Sequence, residues 1–134
     1  MISSYTITTQ TLATNDALIF SNDRIKTGCT VLHSEGTPTF TLNKTGYYFI
    51  SFNADVAGTG DIVIQLQNNG VLIPGASATN TSTGTTDIGN MSFATIIQAP
   101  PSCCAIDNTP RITLVNTGDA ATIINANLVI TKLC

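Results

Sequence analysis

The chain has 134 residues, of which 10% are charged and 43% are hydrophobic, and its formal net charge is −3. This length suits one core without a metal ion or disulfide to hold it, since a domain of about 150 residues buries roughly 70% of its unfolded surface. We therefore predict a single domain over residues 1–134. Residues 1–17 are expected to form an N-terminal strand or an arm leading from an upstream stalk.

The charge distribution argues against a nucleic-acid partner. The basic residues are scattered and form no stripe that could follow a phosphate backbone: Arg24, Lys26, Lys44, Arg111 and Lys132. Apolar runs reach about four residues, far short of the ~20 needed to span a bilayer, so membrane insertion is not expected. No signal peptide is recognisable, so any export signal or stalk is expected upstream of Met1.

The polar residues favour strands and turns over helices. Threonine occurs 23 times and asparagine 12 times, and neither residue favours a helix interior. A surface with few charges is also weakly protected against association. We therefore expect part of the surface to be covered by other copies of the chain.

The first clear strands surround the segment "FTLNKTGYYFISFNAD". Phe40 and Leu42 alternate with threonine, and Lys44-Thr45-Gly46 forms a turn. Period-2 alternation then places Tyr48, Ile50 and Phe52 on one face, and Tyr47 and Phe49 on the other. A monomer needs only one of these faces for its core, so the second aromatic face is a candidate contact surface between copies.

The middle of the chain contains a strand, a hairpin turn and a predicted loop. In "DIVIQLQNNGV", Ile62, Ile64 and Leu66 share a face, and Asn69-Gly70 is a hairpin-type turn. The segment 75–90, "GASATNTSTGTTDIGN", is low in complexity, and we predict a long exposed loop there.

The C-terminal part contains three more strand patterns. The segment "MSFATIIQAP" ends at two prolines, and "RITLVNTGD" ends in a turn. The last, "NANLVITKLC", carries apolar residues on both faces and is expected to be covered on both sides. These short strands with regular turns predict an all-β sandwich or jelly roll. The core positions predicted from the alternation are Phe40, Tyr48, Phe52, Ile62, Ile64 and Leu66.

Several segments, in this order, resemble the C1q/TNF-like superfamily. They are "FTLNKTGYYFISFNADVAGTGDIVIQLQNNGVLIPGA", "ITLVNTGDAATI" and "ANLVITKL", and the resemblance covers roughly residues 18–133. The chain looks most similar to the C-terminal heads of bacterial collagen-like surface proteins, such as the exosporium glycoprotein of bacilli. It departs from them in having no Gly-X-Y repeats and in carrying adjacent cysteines in "APPSCCAIDNTP".

The resemblance implies a jelly roll of about ten antiparallel strands that forms a homotrimer at the tip of a filament. Together with the two-faced strands, it predicts a trimer interface that contains Tyr47, Phe49, Val129 and Leu133. The alternative is that both faces of these strands lie within one subunit, under loops.

The sequence offers no catalytic constellation. His33 is the only histidine, and we interpret it as an ordinary surface or strand residue. No Gly-x-Ser-x-Gly motif is present, and the acidic residues fall mostly in predicted turns, where aspartate is common. We therefore expect no enzyme activity and no cofactor.

The sequence also gives little support for a metal site and does not determine the state of the cysteines. Calcium ligands could come from Asn22-Asp23 and Asp107-Asn108, but no dense acidic loop supports such a site. We expect no structural zinc site, because the sequence has no Cys-x-x-Cys pair and only one histidine. The cysteines Cys29, Cys103, Cys104 and Cys134 could form disulfides or remain free thiols, and their pairing is not determined by the sequence.

Two functions fit these features. The first is a non-enzymatic trimerisation and display head of a bacterial or spore surface filament, located outside the cell. The second is the tip of a phage fibre or an adhesin, which would recognise a glycan or host receptor through the predicted loop. The candidate ligand residues in that loop are Thr79, Asn80, Thr83 and Thr85.

Overall fold

The computed structural model describes residues 1–82, 84, 87–101 and 109–133. These residues form eleven strands and no helix. In chain order the strands are β1 (Ile2–Thr6), β2 (Gln10–Leu12), β3 (Asn22–Lys26), β4 (Val31–Leu32), β5 (Phe40–Leu42), β6 (Gly46–Ala57), β7 (Gly60–Asn68), β8 (Val71–Ser82), β9 (Ile88–Ala99), β10 (Arg111–Asn116) and β11 (Ala121–Lys132).

The strands form two antiparallel sheets that face each other. The first sheet has the order β3-β1-β11-β6-β9, with β2 also paired to β11, and the second has the order β4-β5-β10-β7-β8. Several strands that follow one another in the chain, such as β5 and β6, thus lie in different sheets, as in a jelly roll. The prediction of an all-β jelly roll is confirmed. Because β11 lies between β1 and β6 in the first sheet, both edges of this last strand are paired.

Alternating side chains from both sheets fill the space between them. All six residues predicted for the core are buried, with Tyr48, Ile62, Ile64 and Leu66 fully inaccessible. The Tyr48 hydroxyl donates to the Lys44 carbonyl oxygen at 2.6 Å, so this buried ring keeps a partner for its polar end. Burial raises the pKa of Tyr48 above its ordinary value, and the bond to Lys44 opposes that shift.

The hairpin after β7 follows the turn chemistry of its sequence. Asn69 and Gly70 both have positive φ, at 51° and 82°, which is the requirement of a tight hairpin turn between twisted strands. The strands that follow it are long, because β8 and β9 each span 12 residues.

The prediction of a loop over residues 75–90 is wrong. Strand β8 continues to Ser82 and β9 begins at Ile88, so only a short connection remains. Thr79 and Asn80 lie within β8, paired with Val63 and Ile62, while Thr83 and Thr85 fall outside the described residues. The inward side chains of this part of β8 include the small Ala76 and Ala78. The sequence of β8 therefore shows no alternation of large apolar residues, and for this reason it resembled a loop, although threonine itself suits strands well.

The amino terminus lies at one end of the sandwich, and three of the strand connections lie at the other end. Ile2 pairs with Ile130, and the amino group of Met1 donates to the Thr27 carbonyl oxygen at 3.1 Å. At the other end, the β6–β7, β8–β9 and β10–β11 connections lie together, because β6 pairs Ala57 with Ile88 and with Thr122. A segment attached to Met1 would thus leave from the end opposite these connections.

Candidate self-association surface

The outward face of the first sheet carries an apolar region that the monomer does not cover. The register places Phe49 beside Ile96 of β9, and Tyr47 one pair further along β6 beside Gln98. Val129 of β11 lies opposite Ser51 on the same face. We call the five side chains Tyr47, Phe49, Ile96, Val129 and Leu133 the apolar half.

The members of the apolar half are exposed to different degrees. Ile96 is 58% exposed, Leu133 51%, Tyr47 47% and Phe49 37%, and Val129 is half-buried. Leu133 follows the end of β11, and its backbone N–H donates to the Tyr47 carbonyl oxygen at 2.7 Å. The structure thus brings Tyr47, Phe49, Val129 and Leu133 to one side of one sheet.

Ile96 belongs to this surface, although it is not among the interface residues predicted from the sequence. It occurs in "MSFATIIQAP", where alternation from the inward Phe93 places Ala94 and Ile96 outward. The signal was therefore present in the sequence. It could be used only once the pairing of β9 with β6 was known, because β6 supplies the neighbouring aromatic residue.

The same outward face becomes polar towards the connections. Asn53 and Asp55 of β6, Asn90 of β9, and Asn125 and Asn127 of β11 form this region, which we call the amide half. The Asp55 carboxylate accepts from the Asn90 and Asn125 side-chain amides at 3.0 and 2.9 Å. These bonds, first from Asn90 and then from Asn125, lower the pKa of Asp55 below its ordinary value.

One polar atom in the amide half has no partner. The side-chain oxygen of Asn127 is buried and accepts no hydrogen bond from the described residues. Buried acceptors are usually satisfied in folded proteins. Within the amide half, the Asn127 side chain is thus less completely hydrogen-bonded than the Asp55 carboxylate.

The outward face of the second sheet has a different chemistry. Asp61, Gln65 and Gln67 of β7 lie beside Thr81, Ser77 and Leu72 of β8, and Thr79 is exposed beside Val63. The Thr81 hydroxyl donates to the Asp61 carboxylate at 2.7 Å, and the Gln65 amide donates to the Ile73 carbonyl oxygen at 2.7 Å. Exposed apolar residues of this sheet include Val71 and Leu72, beside the hairpin turn, and Leu32 of β4.

His33 is not the surface or strand residue that the sequence suggested. It lies just after β4 with its side chain fully buried, and it stacks on the Phe40 ring at 4.1 Å between centroids. Its Nδ1 lies 2.6 Å from an Asp23 carboxylate oxygen, and its Nε2 lies 2.9 Å from the Thr37 carbonyl oxygen. Both ring nitrogens are thus engaged in bonds that join parts of the fold.

The candidate metal and disulfide residues are only partly described. The Asp23 carboxylate bonds to Ser4 and His33, and among the described residues no three His, Cys, Asp or Glu side chains are grouped as metal ligands. Cys29 is exposed with a free thiol. Cys103, Cys104, Cys134 and the Asp107-Asn108 pair lie outside the described residues. The described part of the chain contains no helix with the length and hydropathy needed to span a bilayer.

Comparison with solved structures identifies the fold. The chain is similar to the PRD1 vertex protein P5, with a TM-score of 0.61 and 17% identity, over 99% of this chain and 96% of that one. It is also similar to murine APRIL, with a TM-score of 0.59 and 10% identity, over 98% of this chain and 97% of that one. At these identities the likeness shows the fold alone, a TNF-like jelly roll.

Sequence comparison adds no narrower assignment. No family model matches the chain, and no curated protein matches it either. The resemblance to the heads of bacterial collagen-like surface proteins therefore stays a prediction.

Proposed function

We propose that this chain is a non-enzymatic trimerisation and display head, whose copies associate through the outward face of the first sheet. The apolar half is the observation that carries this proposal. Fully burying a large apolar side chain is worth about 1.5–3 kcal/mol, and four such side chains stand more than a third exposed. A second copy would remove them from water.

The apolar half carries no charged side chain that would oppose contact between copies. Within the apolar half no member is ionisable except through the Tyr47 hydroxyl, and Asp55 lies in the amide half. Copies that meet through the apolar half would thus bring together neutral side chains, which avoids the repulsion of like charges at a buried contact.

The positions of the termini support a display role. Because Met1 lies at the end opposite the β6–β7, β8–β9 and β10–β11 connections, an upstream stalk would hold these connections outermost. Three such heads would also bring three stalks into register. Display of three copies increases the avidity of any weak site on the connections.

The bonding of the reactive side chains supports a non-catalytic role. His33 is buried with both ring nitrogens bonded, and Asp23 is bonded to it and to Ser4. These groups hold the fold together and are not directed towards a substrate. We propose no resident cofactor, and no calcium site at Asp23.

The second candidate is a receptor- or glycan-binding tip of a phage fibre or adhesin. The structural similarity to a PRD1 vertex protein is compatible with a virion as the setting. In this case Thr79 and Asn80 would act from strand β8 and not from a loop. A glycan-array signal for the assembled protein would favour recognition, and its absence would favour display alone.

Light scattering coupled to size-exclusion chromatography tests the proposal. At micromolar concentration we expect a particle with three times the mass of the chain. A stable monomer at the same concentration would overturn both the trimer and the display mechanism. A dimer would retain self-association but overturn the threefold arrangement.

A further inference from the structure

A cavity of about 550 Å³ opens at the edge of the second sheet. It lies where β4 and β5 meet Lys26, the last residue of β3. Cavities of roughly 300–1,000 Å³ hold small organic ligands in proteins, so this cavity is large enough for such a ligand. We call it the β4–β5 pocket, and the residues that line it include Lys26, Leu32, Ser34, Thr37, Thr39 and Thr41.

Two threonine hydroxyls of the pocket are available to a ligand. Phe40 and Leu42 point into the core, so the alternation of the strand turns Thr39 and Thr41 outward, and both line the pocket. Among the described residues, neither hydroxyl forms a hydrogen bond with another group. A hydroxyl donates one hydrogen bond and accepts two. The pocket thus offers both donors and acceptors that the fold itself does not use.

The other polar groups of the pocket are held in place and keep spare capacity. The Lys26 ammonium donates to the His33 carbonyl oxygen at 2.5 Å, yet its side chain is 45% exposed. Because an ammonium has three donors, Lys26 can also donate to a ligand. The Thr37 hydroxyl donates to the Ser34 carbonyl oxygen at 2.7 Å and keeps its lone pairs for accepting. These bonds fix the polar groups before a ligand arrives, which lowers the entropic cost of binding.

An apolar side chain lies next to these polar groups. Leu32 is 42% exposed, and it lies opposite Thr41 in the pairing of β4 with β5. The His33 ring is buried against Phe40, so no exposed aromatic ring lines the pocket as a platform for a flat base. Hydroxyl and ammonium groups beside one aliphatic surface match a ligand that has both hydroxyl groups and an apolar C–H face. A pyranose sugar has this chemistry.

The formal charges around the pocket balance. Lys26 lines it, and Arg111 lies beside Thr41 in the pairing of β10 with β5. The Asp23 carboxylate lies 3.9 Å from the Lys26 ammonium, and Glu35 accepts from the Asp23 backbone N–H at 2.8 Å. The positive and negative charges thus offset each other, and the field favours neither anions nor cations. The described residues also contain no group of three His, Cys, Asp or Glu side chains that could hold a metal ion.

We propose that the β4–β5 pocket binds a neutral saccharide. The Thr39 and Thr41 hydroxyls and the Lys26 ammonium bond to the sugar hydroxyls, and Leu32 contacts the C–H face of the ring. The pocket lies on the second sheet, whereas the apolar half lies on the first, so this inference goes beyond self-association and does not depend on it. Three associated copies would carry three pockets and bind a surface rich in sugars with increased avidity.

An NMR titration of the ¹⁵N-labelled wild type locates the binding. The probes are the methyl glycosides of glucose, galactose, mannose and N-acetylglucosamine. With at least one of them we expect saturable shifts of the Leu32, Thr39 and Thr41 backbone amides at millimolar concentration. The methyl glycoside of sialic acid, which is an anion, should bind more weakly. Tighter binding of this anion, or no saturable shift at the pocket with any neutral glycoside, would overturn the proposal.

A threonine variant tests the role of the hydroxyls. Thr41→Val keeps a β-branched side chain that suits a strand, and we expect the affinity to fall about three- to tenfold because a hydrogen bond is lost. Thr79→Val is the matched control on β8 and should bind as the wild type does. An unchanged affinity of Thr41→Val, or a loss confined to Thr79→Val, would contradict the pocket. Thr39→Val provides the same test if Thr41→Val does not fold.

Light scattering of the same samples separates this inference from the proposed trimer. We expect wild type, Thr41→Val and Thr79→Val to have the same mass, because neither substitution touches the first sheet. A monomeric wild type that binds the glycoside would overturn the trimer and support the pocket. A trimeric wild type that binds none of the neutral glycosides would overturn the pocket and support the trimer.

Discussion

The outward faces of the two sheets are formed by the same kind of strand but differ in chemistry: large apolar side chains lie together on the first, and polar side chains cover the middle of β7 and β8 on the second. On the first sheet, Phe49 and Ile96 lie side by side and remain partly exposed. On the second sheet, the corresponding outward positions of β7 and β8 hold residues such as Gln67 and Thr79. The inward faces of both sheets are mostly apolar and supply the core. The outward aromatic residues of the first sheet are thus not part of the monomer core, and contact between copies is the role that we propose for them.

The largest expected effect is a difference in stability between substitutions on the two faces of β6. Replacing Phe52 with Ala removes a fully buried ring from the inward face of β6, and we expect a loss of about 3–5 kcal/mol in the free energy of unfolding. Phe49→Ala, three positions away on the outward face, should cost much less in a monomer because its ring is 37% exposed. Urea unfolding of both variants at low protein concentration measures the difference. Equal losses would mean that the outward ring is already part of the monomer core.

The next largest effect is a difference in oligomeric state between substitutions on the outward faces of the two sheets. Phe49→Asp places a charge within the apolar half, and we expect it to convert the proposed trimer into monomers, since an unpaired charge is costly in a buried interface. Thr79→Asp is the matched control, because it places the same charge on the exposed outward face of β8. Sedimentation velocity at micromolar concentration gives the masses of both. If Thr79→Asp dissociates the protein and Phe49→Asp does not, the wrong sheet has been assigned to the interface.

The difference between the faces could be predicted from the sequence where large side chains alternate. In β6, alternation alone separated the buried Tyr48 and Phe52 from the exposed Tyr47 and Phe49. It failed in β8, where the inward Ala76 and Ala78 are small and the outward residues are threonine and serine. A strand that buries little apolar area has the same composition as a polar loop, and only its partner β7 reveals it.

Contacts between distant segments could not be predicted. Asp23 and His33 are ten residues apart, and their bond depends on the edges of two different sheets meeting at one place. Ile96 similarly becomes a neighbour of Phe49 only through the pairing of β9 with β6. The sequence contains the residue types for both features, but the register that brings them together is a property of the folded chain.

The smallest expected effect is a pH dependence of stability that arises in the amide half and not in the apolar half. The amides of Asn90 and Asn125 favour the ionised form of Asp55 and lower its pKa, whereas the apolar half contains no carboxylate. The stabilisation is therefore complete above about pH 4, the ordinary range of an aspartate, and is lost as the pH falls through the lower pKa of the folded state.

Asp55→Asn isolates this contribution, because an asparagine keeps the size of the side chain without its charge. We expect the wild type to exceed the variant in thermal stability by a constant amount between pH 7 and about pH 5, and by less as the pH falls below about 4. Differential scanning calorimetry across this range measures it. If the advantage were constant down to about pH 2, the bonds from Asn90 and Asn125 would not depend on the charge of Asp55. The difference between the two halves would then be one of packing, since neither half would respond to protonation.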